Sequence, residues 1–378
     1  MLNFLIIDTY YPGFLAHFYA QNMPGDKSYG EHLSLLMEQA FGTADFYSNN
    51  LKKLGFEAHN IIFNDVNLQY KWAREVIPGF SGTRFLEGYP YFHRLINKAG
   101  FVPWKMQELY KILKAQVDYY KPDILYIQDI KTINDRFLSE IKGKVKLIVG
   151  QIASVIPENK DLKVYDLILT SFPHFVGRFR SMGIQAEYLK IAFESSIWDR
   201  ISGENLQKKY DCTFIGGLTR HHAKRAQILG RLGRELKVDI WGYSKDGLSD
   251  AAAITNNYHG PAWGMDMYRI LAQSRITINS HIDAAQDYAN NMRLYESTGC
   301  GAMLITDYKN NLSQIFSIGK EVIAYKDPEE LIQLTKYYLE HDNEREMIAK
   351  AGQKRTLAEH SYYNRMRELA DILNRYLA

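Results

Sequence analysis

The stretch Asn290–Asp307 reads NNMRLYESTGCGAMLITD, and the succession of residue types within it decides how the chain is read. Asn290 and Asn291 are polar residues able to cap a helix. Met292 to Thr298 form two short turns, and Gly299 with Gly301 end them where a side chain would be strained. Ala302 to Thr306 is an apolar run of strand length, so the unit is loop, short helix, glycine turn and buried strand. Arg293 and Glu296 share one helix face. Next to a polar loop, such a pair suits an anionic ligand that carries hydroxyls; the pattern alone serves equally well as a surface ion pair.

Working outward, 378 residues exceed one ordinary core and predict two domains. With 46% apolar and 24% charged residues, the composition is that of a globular protein and excludes a disordered or fibrous one. Net charge is +3, from 46 basic and 43 acidic residues without a long like-charge block, so no nucleic-acid partner is called for. Cys212 and Cys300 have neither metal-ligand spacing nor a disulfide framework, which suits a reducing cytoplasm. No apolar run reaches the length of a signal peptide core or a membrane span, so membrane insertion is not expected.

In chain order, Leu2 to Ile7 reads as a buried strand ending at Asp8. A long polar and aromatic loop follows, with Tyr10, Tyr11, His17 and Tyr19 as possible cleft residues. Ser28 to Leu54 carries helical spacing, Gly55 stops it, and Ala58 to Phe63 is a second strand. Lys71 to Gly100 reads as irregular and outside the core, and Trp104 to Tyr120 as a helix. Strands at Ile124 to Ile127, Val145 to Val149 and Leu167 to Thr170 each meet polar residues at their carboxyl ends. Asp8, Asp129, Gln151 and Ser171 are therefore expected on one rim of a parallel sheet, where ligands bind. Tyr188 to Ala192 is a last short strand. Residues 196–210 have the composition of a linker.

Beyond it a second alternation begins: strands near 211–217, 238–241, 276–279, 302–306 and 321–325, then helices at Pro328 to Glu340, Asn343 to Glu359 and Tyr362 to Leu377. Two successive strand and helix alternations predict two doubly wound α/β sheets facing one another across a cleft. The expected division is residues 1–195, a linker at 196–210, 211–360, and a final helix at 361–378.

The turn Gly216-Gly217-Leu218-Thr219-Arg220-His221-His222 joins a strand to a helix whose first turn holds Lys224 and Arg225. Free backbone N–H groups, the helix dipole and three cationic side chains suit a diphosphate. Basic residues at a helix start disfavour the helix by a few tenths of a kcal/mol each, so a bound anion explains them better than stability does. The turn is not a Walker loop and lacks the G-x-G-x-x-G spacing, which disfavours nicotinamide chemistry. Trp241-Gly242-Tyr243 and Tyr258-His259-Gly260-Pro261 follow strands and offer rings and open backbone to a flat base, or are ordinary turns. His281 and Asp283 are either an acid or base near a sugar or a hydrogen-bonded loop pair.

From about Asp211 to Glu359 the chain resembles the C-terminal half of two-domain GT-B glycosyltransferases. The branch it is most similar to is the CgeB-like one, on NNMRLYESTGCGAMLITD and the following IGKEVIAYKDPEELIQLTKYYLEHDNEREMIAKAGQKR. By that resemblance Glu296 binds the ribose hydroxyls of a nucleotide, the backbone near Asn290, Asn291 and Met292 approaches its diphosphate, and Arg220 with Lys224 neutralises the phosphates. Trp241 to Tyr243 with Tyr258 to Gly260 then form the base pocket. Many relatives place a second glutamate eight residues before the first; here that position is Tyr288. The final helix is similar to one that in the family crosses back onto the first domain.

The expectation is a metal-independent glycosyltransferase that moves a sugar from a nucleotide diphosphate donor to an acceptor held by the first domain. Donor-side residues are Gly217, Thr219, Arg220, Lys224, Trp241, Gly242, Tyr243, His259, Gly260, His281, Asn290, Asn291, Met292, Arg293 and Glu296. An inverting reaction needs a base, with His17 or Asp129 as candidates; a retaining one does not. Rival readings are a nucleotide-sugar epimerase of the same fold and a sugar-binding or sensor protein without turnover.

Overall fold

The strands of this protein are near-continuous runs of Ile, Leu, Val and Phe, the pattern of parallel strands covered on both faces. The computed structural model describes residues 1–22, 25–81, 103–218, 223–243 and 256–377, without the side chains of 103–105, 223 and 224. Within these the chain divides into two compact units. The first is Met1–Leu189 together with the residues from Met366 onward, and the second is Lys190–Arg365.

The first unit runs β1 (Asn3–Asp8), α1 (Pro12–Gln21), α2 (Tyr29–Glu38), α3 (Phe46–Lys53), β2 (Glu57–Ile62), α4 (Val66–Val76), α5 (Pro103–Tyr120), β3 (Ile124–Ile127), α6 (Asp135–Ile141), β4 (Leu147–Ile152), β5 (Leu167–Thr170), α7 (Pro173–Ser181) and β6 (Ala186–Tyr188). Its sheet has the order β2-β1-β3-β4-β5-β6 with every pair parallel. The second unit runs α8 (Ser195–Ser202), β7 (Tyr210–Ile215), α9 (Ala223–Glu235), β8 (Asp239–Trp241), α10 (Gly264–Ala272), β9 (Ser274–Asn279), α11 (Met292–Gly299), β10 (Met303–Asp307), β11 (Ile323–Tyr325), α12 (Pro328–Glu340) and α13 (Asp342–Glu359); the last helix, α14 (Tyr362–Leu377), starts in this unit and from Met366 onward belongs to the first. Its sheet, also parallel throughout, has the order β11-β10-β9-β7-β8.

Each order reverses once, between β1 and β3 in the first unit and between β7 and β9 in the second. The crevice outside the carboxyl ends at such a reversal is where ligands of open α/β sheets bind. The segments after these four strands are accordingly the ones to inspect.

Several expectations are corrected. The segment after Asp8 is not an open loop: Pro12 starts a helix whose Phe14, Leu15, Phe18 and Tyr19 are buried. Phe14 stacks on Phe41 with centroids 4.0 Å apart. Tyr10 and Tyr19 are therefore core residues, and the Tyr19 hydroxyl donates to buried Asp65 at 2.7 Å. Ser28 to Leu54 is two helices, separated where Ala40 adopts φ 53°. The start of the segment expected to be irregular continues α4 and buries Trp72 and Ala73. Most of its remainder lies outside the described residues. The last strand of the first unit is Ala186–Tyr188, ahead of Tyr188–Ala192, and residues 196–210 carry most of helix α8.

Candidate functional site

Helix α11 starts where it was expected, because Asn291 is extended (φ −150°) and its Oδ1 accepts the Leu294 N–H at 3.3 Å. Asn291 Nδ2 in turn donates to Asn279 Oδ1 at 2.7 Å, and Asn279 Nδ2 donates to Thr306 Oγ1 at 2.9 Å. The helix start is thus tied to the ends of β9 and β10. Asn290 is buried and Met292 half-buried. The two glycines act differently from one another. Gly301 holds φ +74°, but Gly299 is inside the helix and is needed because a Cβ there would lie 2.5 Å from the Phe193 ring.

The Arg293–Glu296 pair is not on the surface. Arg293 Nη1 is 2.9 Å from Glu296 Oε2, with the side chains 15% and 5% exposed. Tyr268 Oη donates to Glu296 Oε1 at 3.4 Å, and Arg293 Nε donates to the Ile215 carbonyl at 3.2 Å, at the end of β7. Burial raises the Glu296 carboxyl above its ordinary range, against the pull of the Arg293 charge. Glu296 therefore sits in an apolar setting with few donors, where added hydroxyls would be strongly bound. Tyr288, in the place of the second glutamate, is half-buried.

At the reversal in this sheet, Gly216, Gly217 and Leu218 follow β7. Thr219, Arg220, His221 and His222 lie outside the described residues, as does the side chain of Lys224 in the first turn of α9. Arg225 is a correction. Its guanidinium is buried and donates to the Gly217 carbonyl at 3.0 Å and the Ser280 carbonyl at 2.7 Å, so it clamps the segments after β7 and β9 together. A Cβ on Gly217 would lie 2.3 Å from Tyr243 Oη, the far end of a side chain. A Cβ on Gly242 would lie 2.5 Å from the Gly216 carbonyl oxygen.

Trp241 is likewise placed differently from an open base pocket. His259 stacks on it at 4.5 Å, Tyr210 meets it edge-on at 5.0 Å, and it is 7% exposed. His259 Nε2 is 2.7 Å from Asp239 Oδ1. Gly260 accepts the Gly242 N–H at 2.9 Å. The exposed Tyr243 ring and the half-buried Trp263 ring are parallel within 14° at 6.1 Å. Trp263 went unremarked in the sequence because it stands alone before α10. His281 pairs with Asp307 instead of Asp283: Nδ1 is 2.6 Å from Asp307 Oδ1, which also accepts the His281 N–H at 3.0 Å. Lys309 Nζ lies 3.4 Å from the other oxygen. Asp307 is the last residue of β10, and its polar strand-end position was the available signal.

In the first unit the reversal brings together the residues after β1 and β3. Thr9 Oγ1 donates to Asp129 Oδ2 at 3.1 Å, Thr132 Oγ1 donates to the same oxygen at 2.6 Å, and the Lys131 N–H donates to Oδ1 at 3.0 Å. Asp8 accepts the Thr9 N–H at 2.7 Å and Thr43 Oγ1 at 3.4 Å. Burial, with the Asp129 charge adding to it, pushes Asp8 up to about 7. Tyr126 donates to Gln151 at 2.7 Å on the same rim, and Ser171 is buried at the end of β5. His17 is on the exposed face of α1, with Gln21 Nε2 3.4 Å from its Nε2, and is not gathered with these groups. Among the described residues, no three His, Cys, Asp or Glu converge as metal ligands would, and no helix is long and apolar enough to cross a membrane.

Three kinds of comparison bear on this geometry. Residues 220–371 match the family model described as "Glycosyl transferase-like". No curated protein sequence is significantly similar to the chain. Solved structures resemble it along their whole length at low identity. Sucrose-phosphate synthase from Thermosynechococcus elongatus has TM-score 0.58 and 11% identity, covering 99% of each chain. A glycosyltransferase from Rickettsia africae has TM-score 0.57 and 11% identity, covering 100% of this chain and 98% of the other. Anabaena HepE in complex with UDP and glucose has TM-score 0.57 and 11% identity, covering 99% and 100%. With two parallel-stranded α/β sheets each reversing once, and with these whole-length matches, the chain has the fold of GT-B glycosyltransferases.

Proposed function

We propose that the protein is a glycosyltransferase that takes a sugar from a nucleotide diphosphate donor bound by the second unit and passes it to an acceptor bound by the first. The observation that carries this is Glu296. It is a buried carboxylate beside the capped start of α11, inside the span that matches the glycosyl transferase-like model, with a single arginine as its counter-charge. Ribose hydroxyls donating to Glu296 would supply the hydrogen bonds that its burial makes costly to lack. The diphosphate would lie against the start of α11, the Gly216–Gly217 backbone, and Arg220 and Lys224, which stabilise the leaving group without a metal ion. Tyr243, exposed, and Trp263, half-buried, offer the base two rings, in the role first expected of Trp241. The stretch NNMRLYESTGCG favours the CgeB-like branch, and the buried free thiols of Cys212 and Cys300 suit a cytoplasmic setting.

If the reaction inverts, Asp8 serves as base better than His17 or Asp129. Its neighbour Asp129 already accepts three hydrogen bonds, and burial pushes Asp8 up to about 7. Incubation with a panel of nucleotide sugars, with free nucleoside diphosphate as readout, tests the proposal. Net release is expected for one donor; a binding protein or an epimerase would give none, and that result would refute transfer.

A further inference from the structure

Among the described residues on the rim of the second sheet, one buried ring nitrogen has no hydrogen-bond partner. His281 follows β9, on the far side of the reversal from the Gly216–Gly217 turn, and its side chain is 1% exposed. A carboxylate only accepts, so the contact with Asp307 Oδ1 places the hydrogen on Nδ1. The same oxygen accepts the His281 backbone N–H, and Arg225 holds the Ser280 carbonyl just before it, so both ring and backbone are fixed. Nε2 is buried with no hydrogen-bond partner. In a site this closely held, an orphaned ring nitrogen calls for an explanation.

Two further features narrow what could satisfy it. The bond pair between Asn279 and Asn291 sets the end of β9 against the N-terminus of α11, whose free N–H groups favour an anion. The charged and titratable groups around the ring are Asp307 and Lys309 after it on β10, Arg225 from α9, and Tyr325 from β11, whose hydroxyl donates to the Asn279 carbonyl. Asp307 is buried, yet His281 and Lys309 hold it below the usual carboxylate range. With the Nδ1 hydrogen held by the Asp307 carboxylate, a doubly protonated ring presents its Nε2–H to an acceptor.

We propose that His281 Nε2 donates a hydrogen bond to a terminal oxygen of the donor's diphosphate, making His281 a proton-dependent leaving-group contact in addition to its tie to Asp307. This rests on the donor site proposed above. The reaction then gains a cationic donor where negative charge accumulates as the sugar–oxygen bond breaks.

His281→Asn separates the two roles, because a carboxamide nitrogen can reach the Nδ1 position and keep Asp307 satisfied while nothing replaces Nε2. Calorimetric titration would use uridine, guanosine, adenosine, cytidine and thymidine diphosphates, each beside its nucleoside, at pH 6.5 and 9, a window in which the terminal phosphate stays largely ionised. In the wild type, the preferred diphosphate should bind more weakly at pH 9 than at 6.5, and its nucleoside equally at both. His281→Asn should lose about tenfold in diphosphate affinity at pH 6.5, little at pH 9, and nothing for the nucleoside. An unchanged diphosphate affinity, or equal losses for diphosphate and nucleoside, overturns the inference and leaves the donor site standing. Should the variant not fold, a wild-type diphosphate-to-nucleoside affinity ratio that is flat with pH overturns it. No binding of any diphosphate by the wild type removes the donor site itself, and this inference with it.

Discussion

Replacing Arg293 by Met keeps most of the side-chain volume and removes the charge beside Glu296. Two losses follow, and they differ in pH dependence. The hydrogen bond to the Ile215 carbonyl goes, at about 1 kcal/mol whatever the pH. The second loss is the buried carboxylate's counter-charge at 2.9 Å. Breaking a buried pair ordinarily costs about 3–5 kcal/mol. Glu296 can escape by taking up a proton, and that route costs about 1.4 kcal/mol per pH unit above the ordinary glutamate value of 4.5. The charge-dependent loss is therefore capped at about 4.8 kcal/mol at pH 8 and about 1.4 kcal/mol at pH 5.5. The sign is that of an acid whose folded-state pKa is raised: its contribution is fully present below the unfolded value and is lost as pH rises through the folded one. Because the chain has two units, global unfolding is a poor readout. Hydrogen exchange over residues 292–299, corrected for intrinsic rates, reports on the unit concerned. Protection in Arg293→Met should fall far more at pH 8 than at 5.5, and Arg293→Met/Glu296→Gln should lose that pH dependence. A loss of equal size at both pH values in the single variant would refute the claim that Glu296 carries a buried charge.

Two glycines in close contact should respond oppositely to alanine. At Gly242 the new Cβ meets the Gly216 carbonyl oxygen at 2.5 Å, which is backbone and cannot move aside, so about 1–3 kcal/mol and several degrees of melting temperature should be lost. At Gly217 it meets the far end of the Tyr243 side chain, which can swing away, and the change should stay within about 0.5 kcal/mol; equal losses would contradict both assignments. With Asp8 pushed up to about 7 from an unfolded value near 3.8, its contribution to stability is present in acid and lost as pH rises between those values. Hydrogen exchange over β1, corrected for intrinsic rates, should show Asp8→Asn gaining on the wild type from pH 4 to 7.5, and a constant difference would remove the perturbed carboxyl. If Asp8 is the base, the wild-type kcat/KM profile should fall on its acid side near pH 7, and the same variant should lower kcat/KM by about 100-fold or more and lose that acid limb.

What could be read in the sequence followed from which forces act locally. Ile124–Ile127, Leu167–Thr170 and Pro328–Glu340 have the bounds their residues indicate, because an apolar run or a Pro-initiated amphipathic turn is decided within a few residues. Helix α1 was missed because Tyr, Pro and Gly at its start read as loop, although Phe14, Leu15, Phe18 and Tyr19 carry the helical spacing. Residues whose partners depend on strand order were not readable at all. His281 meets Asp307 only because β9 and β10 are neighbours, and Arg225 spans two carbonyls only because β7 lies beside β9. The position of positive charge at the start of α9 was legible, but which arginine the fold consumes was not.

The two sheet reversals are closed by side chains of opposite character. In the first unit Thr9 bridges from β1 to Asp129 after β3, and the bridge leaves two carboxylates close enough for the charge on one to raise the pKa of the other. In the second, Arg225 bridges the segments after β7 and β9 through carbonyl oxygens alone, so the bridge itself consumes no acid and brings a positive charge to the crevice. A crevice of the first kind repels a diphosphate and suits a hydroxyl that must lose a proton. One of the second kind attracts the diphosphate and disfavours that proton loss. On the proposed function, the division of labour between acceptor and donor would follow from how each sheet is bridged at its reversal. A charge-reversing change at either bridge should impair its own unit's ligand first: Arg225→Glu should abolish nucleoside diphosphate binding while the Asp8 titration stays where it is, and a shift of that titration would show that the two sites are not independent.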